Sequence, residues 1–433
     1  RGGAHVVESS AIGAGPSDHF SGEPGDMSMK RGFLGPGLLV TAAFIGPGTV
    51  TTASQAGAGF GYAIAWALIF AVLATIVLQE MSARLGLVTR EGLGEALRTT
   101  FGNRALRAAV VLLVVAAIGF GNAAFEMGNI AGAGLGLAAL TGVSHQHWAV
   151  VVGVGAAVVL ATGVYRIIER LLIAMVVVMS VVFVTTAAMV RPDPGELMRG
   201  MCVPALPAGS LLTVIALIGT TVVPYNLFLH ASAVKEKWPA SMSLEKSMMQ
   251  ARLDTFVSVL LGGMVTLAIL VTAAACYAPG TTLESAAAMA EQLEPLLGRA
   301  AQAFFAVGLL AAGLTSAITA PLAAAYATAG ALGWAVDLRS WKLRATWGLI
   351  VLVGTVLAAV GHRPVHAIIA AQAANGILLP IVAVFLLVVV NRRSLLGKWA
   401  NGWMANLLGA AVVVTAAGLG VFKLGRTLGM WGG

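Results

Sequence analysis

Two short proline-containing stretches hold most of the side chains that could do chemistry in this sequence. The first is Gly46-Pro47-Gly48-Thr49, followed by Thr51 and Thr52, and the second is Val223-Pro224-Tyr225-Asn226. Proline lacks a backbone donor and clashes with the preceding helical turn, and glycine adds backbone freedom, so each stretch is predicted to interrupt a helix. The interruptions place free backbone groups beside hydroxyl and amide side chains, which together can bind a small polar solute or an ion.

Two titratable side chains accompany these breaks. Glu126 lies in the middle of an apolar segment, and Asn122 and Asn129 share its helix face. A charge there costs at least about 2.5 kcal/mol, and desolvation disfavours the charged form, so the carboxyl is predicted to take up and release protons. His230 follows Asn226 by four residues and lies on the same face. Both are candidate proton-coupling residues; a neutral, hydrogen-bonded Glu and a satisfied core His are the structural alternatives.

The elements that must position these residues are membrane-spanning helices. The chain has 433 residues, of which 58% are hydrophobic and 10% charged. It contains about eleven apolar runs of the length that crosses a bilayer, roughly 20 residues. Lipid cannot satisfy an interrupted backbone, so matching breaks in the two halves of a chain indicate a transporter's substrate site. We therefore expect an all-α polytopic membrane protein.

The distribution of the basic residues along the chain indicates its topology in the membrane. A net charge of +8 would suggest nucleic acid in a soluble protein, but here the Lys and Arg residues fall in alternate loops. Loop charge of this kind orients membrane proteins, so the amino end is predicted to be cytoplasmic, in the plasma membrane. Residues 1–32 are interpreted as a disordered cytoplasmic tail. The expected partners are the bilayer, a solute and protons, with no nucleic acid; the sequence leaves the oligomeric state open, and a monomer is compatible with it.

The two cysteines, Cys202 and Cys276, both fall near the predicted outer face. A disulfide is permitted there, and two unpaired thiols are the alternative.

Several segments resemble the Nramp family (natural resistance-associated macrophage protein-like secondary transporters). Four stretches have Nramp-like counterparts in the same order, namely 35–66, 83–89, 223–230 and 311–319. The resemblance covers nearly all of 33–424. It implies two inverted five-helix repeats of the LeuT type, with the first and sixth helices unwound around a midplane site, and an eleventh helix. The implied bounds are 33–200 for the first repeat, 201–395 for the second, and 396–433 for the last helix and the carboxyl end.

The departures from this family fall at the breaks. Nramp proteins bind transition metals with Asp-Pro-Gly-Asn in the first helix and Met-Pro-His in the sixth. Here Gly46 stands at the Asp position, Thr49 at the Asn position, Val223 at the Met position and Tyr225 at the following His position. Carboxylates neutralise divalent cations and soft ligands select transition metals, so neither a metal site nor manganese or iron transport is expected.

Other positions match the family. Glu126 and His230 match residues that Nramp proteins use in their proton path, although Ala123 replaces an Asp usually found one turn before the Glu. Gln372 matches a glutamine that reaches the substrate cavity, and Asn375 shares its helix face. A plain interhelical hydrogen bond is the alternative for Gln372.

We predict that the substrate site is a neutral cavity. Its candidate residues are Gly46, Gly48, Thr49, Thr51, Thr52, Val223, Tyr225, Asn226 and Gln372. The amino ends of the half-helices beyond the breaks carry partial positive charge. This field favours a proton-coupled symporter of a small anion, and bicarbonate suits several hydrogen-bond donors.

Two other functions stay open at this point. The first is a divalent cation carrier of the Nramp type, for magnesium or manganese, with an altered site. The second is a sensor or scaffold that does not transport. The sequence contains no phosphate-binding loop with its lysine, no paired-histidine metal helix and no nucleophile elbow. We therefore expect a carrier without a cofactor rather than an enzyme or an ATP-driven pump.

Overall fold

The computed structural model describes residues 36–37, 45–162, 166–335 and 339–427. In these ranges the chain consists of helices joined by short loops and 3-10 turns. The predicted tail, residues 1–32, lies outside the described residues.

The helices fall into two sets, before and after the second predicted break. The first set is α1 (Pro47–Phe60), α2 (Ala65–Thr89), α3 (Leu93–Thr100), α4 (Arg104–Thr141), α5 (His145–Thr162), α6 (Arg166–Met189), α7 (Pro194–Cys202) and α8 (Leu211–Thr221). The second set is α9 (Pro224–Lys237), α10 (Leu244–Cys276), α11 (Ala286–Ala290), α12 (Glu294–Leu297), α13 (Ala301–Leu332), α14 (Trp341–Val360), α15 (Pro364–Val390), α16 (Arg393–Leu396) and α17 (Trp403–Thr427).

The described residues contain ten helical segments long and apolar enough to cross a membrane, where α8 and α9 count as one segment and α11 to α13 as another. They coincide with ten of the predicted apolar runs. The remaining run, 33–58, lies partly outside the described residues, and its described part enters α1 at Pro47. The prediction of an all-α polytopic membrane protein is confirmed.

Both predicted breaks are helix boundaries in the structure. Gly46 is extended, with φ −115° and ψ −174°, and Pro47 is the first residue of α1. At the second break α8 ends at Thr221, Val223 is extended with φ −79° and ψ 122°, and α9 begins at Pro224. Proline suits the first position of a helix because the N–H that it lacks would have no intrahelical acceptor. The residues at each break therefore determine where the following helix begins.

The unbroken helices hold the broken ones in the interior. The longest helix, α4, packs against α13, α14 and α15, while α10 packs against α1 and α2. Helix α15 also lies along α8, and the two approach so closely that a Cβ on Gly219 would overlap the backbone of Gln372 and Gly376. Small residues permit such close backbone contact between membrane helices. This contact places Gln372 beside the last turn of α8.

The segment between α10 and α13, residues 277–300, folds over α1, and we call it the cap segment. Gln55 of α1 accepts a hydrogen bond from the backbone N–H of Leu283 at 2.9 Å. Gln292, which is fully buried, donates to Ser54 Oγ at 2.7 Å. The cap segment is thus hydrogen-bonded to the middle of α1.

Cys202 is the last residue of α7, and Cys276 is the last residue of α10. Both thiols are exposed and free. The structure therefore agrees with two unpaired cysteines, and the disulfide alternative is not formed.

Candidate functional site

The first break presents buried threonine hydroxyls in the opening turns of α1. Thr49, Thr51 and Thr52 are all fully buried. Thr49 Oγ1 lies 2.8 Å from Thr220 Oγ1 of α8, so a hydroxyl pair joins the two broken helices. The hydroxyls of Thr51 and Thr52 have no hydrogen-bond partner within the described ranges. They do not bond back to helix carbonyls, as most threonines in membrane helices do.

The second break presents Tyr225 and Asn226, in the first turn of α9. Both are buried. The Tyr225 ring packs edge-on against Phe125 of α4, with 5.7 Å between the ring centroids. Neither the Tyr225 hydroxyl nor either amide atom of Asn226 has a hydrogen-bond partner in the part of the chain that the structure describes. Val223 takes part in the second break through its backbone. Its carbonyl oxygen accepts a hydrogen bond from the Asn226 N–H at 3.1 Å.

Gln372 of α15 reaches the first break. Its side chain is fully buried and lies so close to Gly48 that a Cβ there would overlap the amide. Both amide atoms of Gln372 lack a partner among the described residues. The structure therefore brings Gln372 and the first break together.

Two polar residues outside the predicted substrate site border Gly46. A Cβ on Gly46 would lie 2.9 Å from Ser316 Oγ of α13 and 4.0 Å from Asn129 Oδ1 of α4. Ser316 and Asn129 are buried, at 1% and 0% exposure. The sequence signal for Ser316 was a polar pair, Thr315-Ser316, inside an apolar helix and within the Nramp-like stretch 311–319.

Glu126 is fully buried in α4, next to Phe125, whose ring contacts Tyr225 of the second break. Its Oε2 accepts a hydrogen bond from Asn129 Nδ2 at 3.2 Å, while Oε1 has no partner within the described residues. Gly354 allows α14 to lie directly against this side chain. Asn129 therefore connects Glu126 with the space beside Gly46.

His230 lies one turn beyond the second break and pairs with a residue that sequence reasoning missed. Its Nδ1 lies 2.8 Å from Gln79 Oε1 of α2, and both residues are buried. Its Nε2 has no partner in the described part of the chain. Asn122, by contrast, donates to the Ile118 carbonyl of its own helix at 2.9 Å. The sequence signal for Gln79 was weak, because Thr75, Glu80 and Ser82 make the same part of α2 polar.

Most buried side-chain polar atoms that lack a partner in the described ranges belong to the breaks or to the helices that face them. Leaving such an atom unsatisfied costs about 1–3 kcal/mol. Native proteins satisfy nearly all buried polar groups with protein, ordered water or ligand. Their concentration here makes the surroundings of the two breaks the candidate site for water and a polar solute.

The side chains at this site that could contact a bound ion or solute are mostly neutral. Among the described residues, no group of three or more His, Cys, Asp or Glu side chains is placed to hold a metal ion. The arrangement instead offers hydroxyl, amide and backbone oxygens, with Glu126 as a carboxyl behind Asn129.

The family model for natural resistance-associated macrophage protein-like proteins (Nramp) matches residues 37–425. The chain belongs to the Nramp family. The resemblance to this family is confirmed, and because Nramp proteins are secondary transporters, the prediction of a carrier rather than an enzyme is confirmed as well. The Nramp chain described here is accordingly a multi-pass membrane transporter.

Relatives match over most of its length. The divalent metal cation transporter MntH of Pectobacterium carotovorum subsp. carotovorum (strain PC1) is 25% identical over 405 residues, which are 92% of this chain and 95% of that protein. MntH of Yersinia enterocolitica serotype O:8 is 26% identical over 402 residues, with the same coverage.

Solved structures share the fold. A crystal structure of the Eremococcus coleocola manganese transporter, in complex with an aromatic bis-isothiourea substituted compound, superimposes with a TM-score of 0.74. It is 20% identical and covers 90% of this chain and 86% of that one. MhsT in complex with L-phenylalanine superimposes with a TM-score of 0.58 at 16% identity, covering 89% and 97%.

The prediction of a small-anion carrier, with bicarbonate as the favoured solute and partner, is wrong. The relatives that span this Nramp chain are named divalent metal cation transporters. That prediction rested on the replaced metal ligands, from which no manganese transport was expected, and on the positive amino ends of α1 and α9. At the second break, however, helix α8 ends at Thr221, and the carboxyl end of a helix carries partial negative charge. Pro224 has no N–H to donate to the Thr220 carbonyl, so that carbonyl lacks its usual intrahelical donor.

Proposed function

We propose that this Nramp chain is a secondary transporter of a hard divalent metal cation, Mg²⁺ or Mn²⁺. The cation binds between the two breaks and keeps much of its hydration water. The observation that carries this proposal is the set of buried, unpartnered oxygens around the breaks, in a chain whose relatives are named for divalent cation transport.

The donor types favour a hard cation. Hydroxyl and amide oxygens come from Thr51, Thr52, Tyr225, Asn226 and Gln372. Oxygen ligands suit Mg²⁺ and Mn²⁺, whereas thioether and thiolate ligands suit softer metals. Mg²⁺ sheds its water reluctantly and is commonly bound through it. Neutral oxygens that accept hydrogen bonds from metal-bound water therefore fit such a cargo.

The remaining site residues act through the backbone or through packing. Gly46 and Gly48 leave room for Ser316 and Gln372, respectively. Val223 carries the extended backbone between α8 and α9. Thr49 joins the two breaks through its contact with Thr220, and this contact holds the half-helices in register.

We assign proton coupling to Glu126 and His230. Glu126 faces the first break through Asn129, and His230 lies one turn from the second break. A carboxylate near a divalent cation stabilises it, and protonation removes that stabilisation. In this scheme the protein lies in the plasma membrane with its amino end in the cytoplasm, and the repeats run over 33–200 and 201–395.

Reconstitution tests this function. We expect proteoliposomes to take up Mg²⁺ or Mn²⁺, measured with dyes sensitive to each ion, and to acidify when the cation gradient is imposed. Bicarbonate gradients and protein-free liposomes are the controls. A flux of neither cation above protein-free liposomes would refute the proposal.

A carboxylate introduced at the first break by substitution should strengthen cation binding. In Gly46→Asp we expect the KM for Mn²⁺ to fall by about tenfold, or about 1.4 kcal/mol, because a carboxylate is a better ligand for a divalent cation than a neutral oxygen. The new Cβ would lie 2.9 Å from Ser316 Oγ, so that side chain must rotate away.

The matched control is Gly46→Asn, which has nearly the same volume without the charge. Uptake of Mn²⁺ is measured over a concentration series for both variants. If Asn lowers the KM as much as Asp does, charge at Gly46 does not govern binding and the proposed position of the cation is wrong.

A further inference from the structure

Two buried oxygens from outside the broken helices face the space beside Gly46. We propose that Ser316 Oγ and Asn129 Oδ1 are substrate-binding groups that accept hydrogen bonds from the water shell of the cation. They occupy the place where a side chain at Gly46 would otherwise reach the substrate. This inference rests on the proposed cation transport and adds a third side to the site, formed by α13 and α4.

The position of Ser316 differs from that of its polar neighbours in the same helix. Thr315 Oγ1 donates to the Ala311 carbonyl at 2.8 Å, and Thr319 Oγ1 donates to the Thr315 carbonyl at 3.0 Å. These bonds to the preceding turn are the usual way for a membrane helix to satisfy a hydroxyl. Ser316 does not make one, and its Oγ lies at the first break instead. The hydroxyl is therefore available to a bound solute.

The orientation of Asn129 follows from its partner. Glu126 Oε2 accepts a hydrogen bond from Asn129 Nδ2, at 3.2 Å, and a carboxyl oxygen can accept here whether the group is ionised or neutral. This leaves Oδ1 on the side of Gly46, 4.0 Å from the position of a Cβ there. The hydrogen bond to Glu126 thus leaves an acceptor, rather than a donor, of Asn129 on the side of the break.

An acceptor pair at this place suits the water shell of a cation. Water bound to a divalent cation is a strong hydrogen-bond donor, and it needs acceptors fixed around it. Ser316 and Asn129 are held in α13 and α4, which pack against each other more extensively than any other described pair of helices. Their oxygens are therefore positioned by an unbroken part of the bundle.

Cation transport by Ser316→Ala tests the inference, with Thr315→Val as the matched control. We expect Ser316→Ala to raise the KM for Mg²⁺ or Mn²⁺, whichever the wild type carries, about fivefold, as the loss of one neutral hydrogen bond predicts. The melting temperature without cation should be unchanged or higher, because the deleted hydroxyl has no partner among the described residues. Thr315→Val removes a hydroxyl that serves its own helix and should leave the KM unchanged.

The outcomes separate this inference from the proposed function. Absence of cation uptake by the wild type overturns both. Cation uptake by the wild type with an unchanged KM in Ser316→Ala overturns the inference alone. A second variant, Asn129→Leu, removes the other oxygen and should also raise the KM; an unchanged KM in that variant overturns the assignment of Asn129.

Discussion

Glu126→Gln is expected to abolish cation-driven proton uptake and to lower cation flux by at least about tenfold. Glu126 is fully buried and supplies the carboxyl next to the site. Glutamine keeps its shape but can neither bind a proton at this position nor bear a negative charge. It can also donate to Asn129 Oδ1, which would turn the Asn129 amide and present its Nδ2 to the cation. Both changes oppose cation binding.

The measurement pairs a pH-sensitive dye with a cation-sensitive dye in the same proteoliposomes. Glu291→Gln, at an exposed position of the cap segment, is the control and should behave like the wild type. Proton uptake that persists in Glu126→Gln at the wild-type rate would place the coupling group elsewhere, and His230 would be the next residue to test.

Gly48→Ala is expected to lower cation transport by about 10- to 100-fold while leaving the protein folded. A methyl group on Gly48 would overlap the amide of Gln372. Because that amide is the end of a flexible side chain, it can move aside, but it then leaves the first break. Displacing a polar group that contacts the substrate costs about 1–3 kcal/mol. The fold should survive because the backbone of α1 is helical at this residue.

Gln372→Ala removes the same amide without the steric overlap. We expect it to raise the KM for the cation to a similar degree, and the double variant Gly48→Ala/Gln372→Ala to be no worse than either single variant. Gly155→Ala, where a methyl group meets open space, is the matched control. If the effects of Gly48→Ala and Gln372→Ala multiply, the two residues act independently and Gly48 does not serve to admit Gln372.

Local signals predicted the fold well. Proline next to glycine or an extended residue marks where α1 and α9 begin, because the cause lies within a few residues of each break. Runs of apolar residues located the ten spans in the same way.

The chemistry of the site depends on contacts that no local pattern contains. The hydrogen bond between His230 and Gln79 joins residues 151 positions apart, and the contact between Thr49 and Thr220 joins residues 171 apart. The proximity of Ser316 to Gly46 also arises from helix packing. The sign of the preferred solute charge therefore could not be predicted from the amino ends of the half-helices alone.

The cap segment makes α1 a lever. Gln55 lies eight residues from the break at Pro47, or about 12 Å along the axis at the usual helical rise. A rotation of α1 by about 10° around the break would shift Gln55 by about 2 Å, which is enough to break a hydrogen bond of ordinary length. In the proposed transporter, such a rotation at the first break would therefore separate Gln55 from Leu283, so α1 itself would connect the proposed cation site with the cap segment.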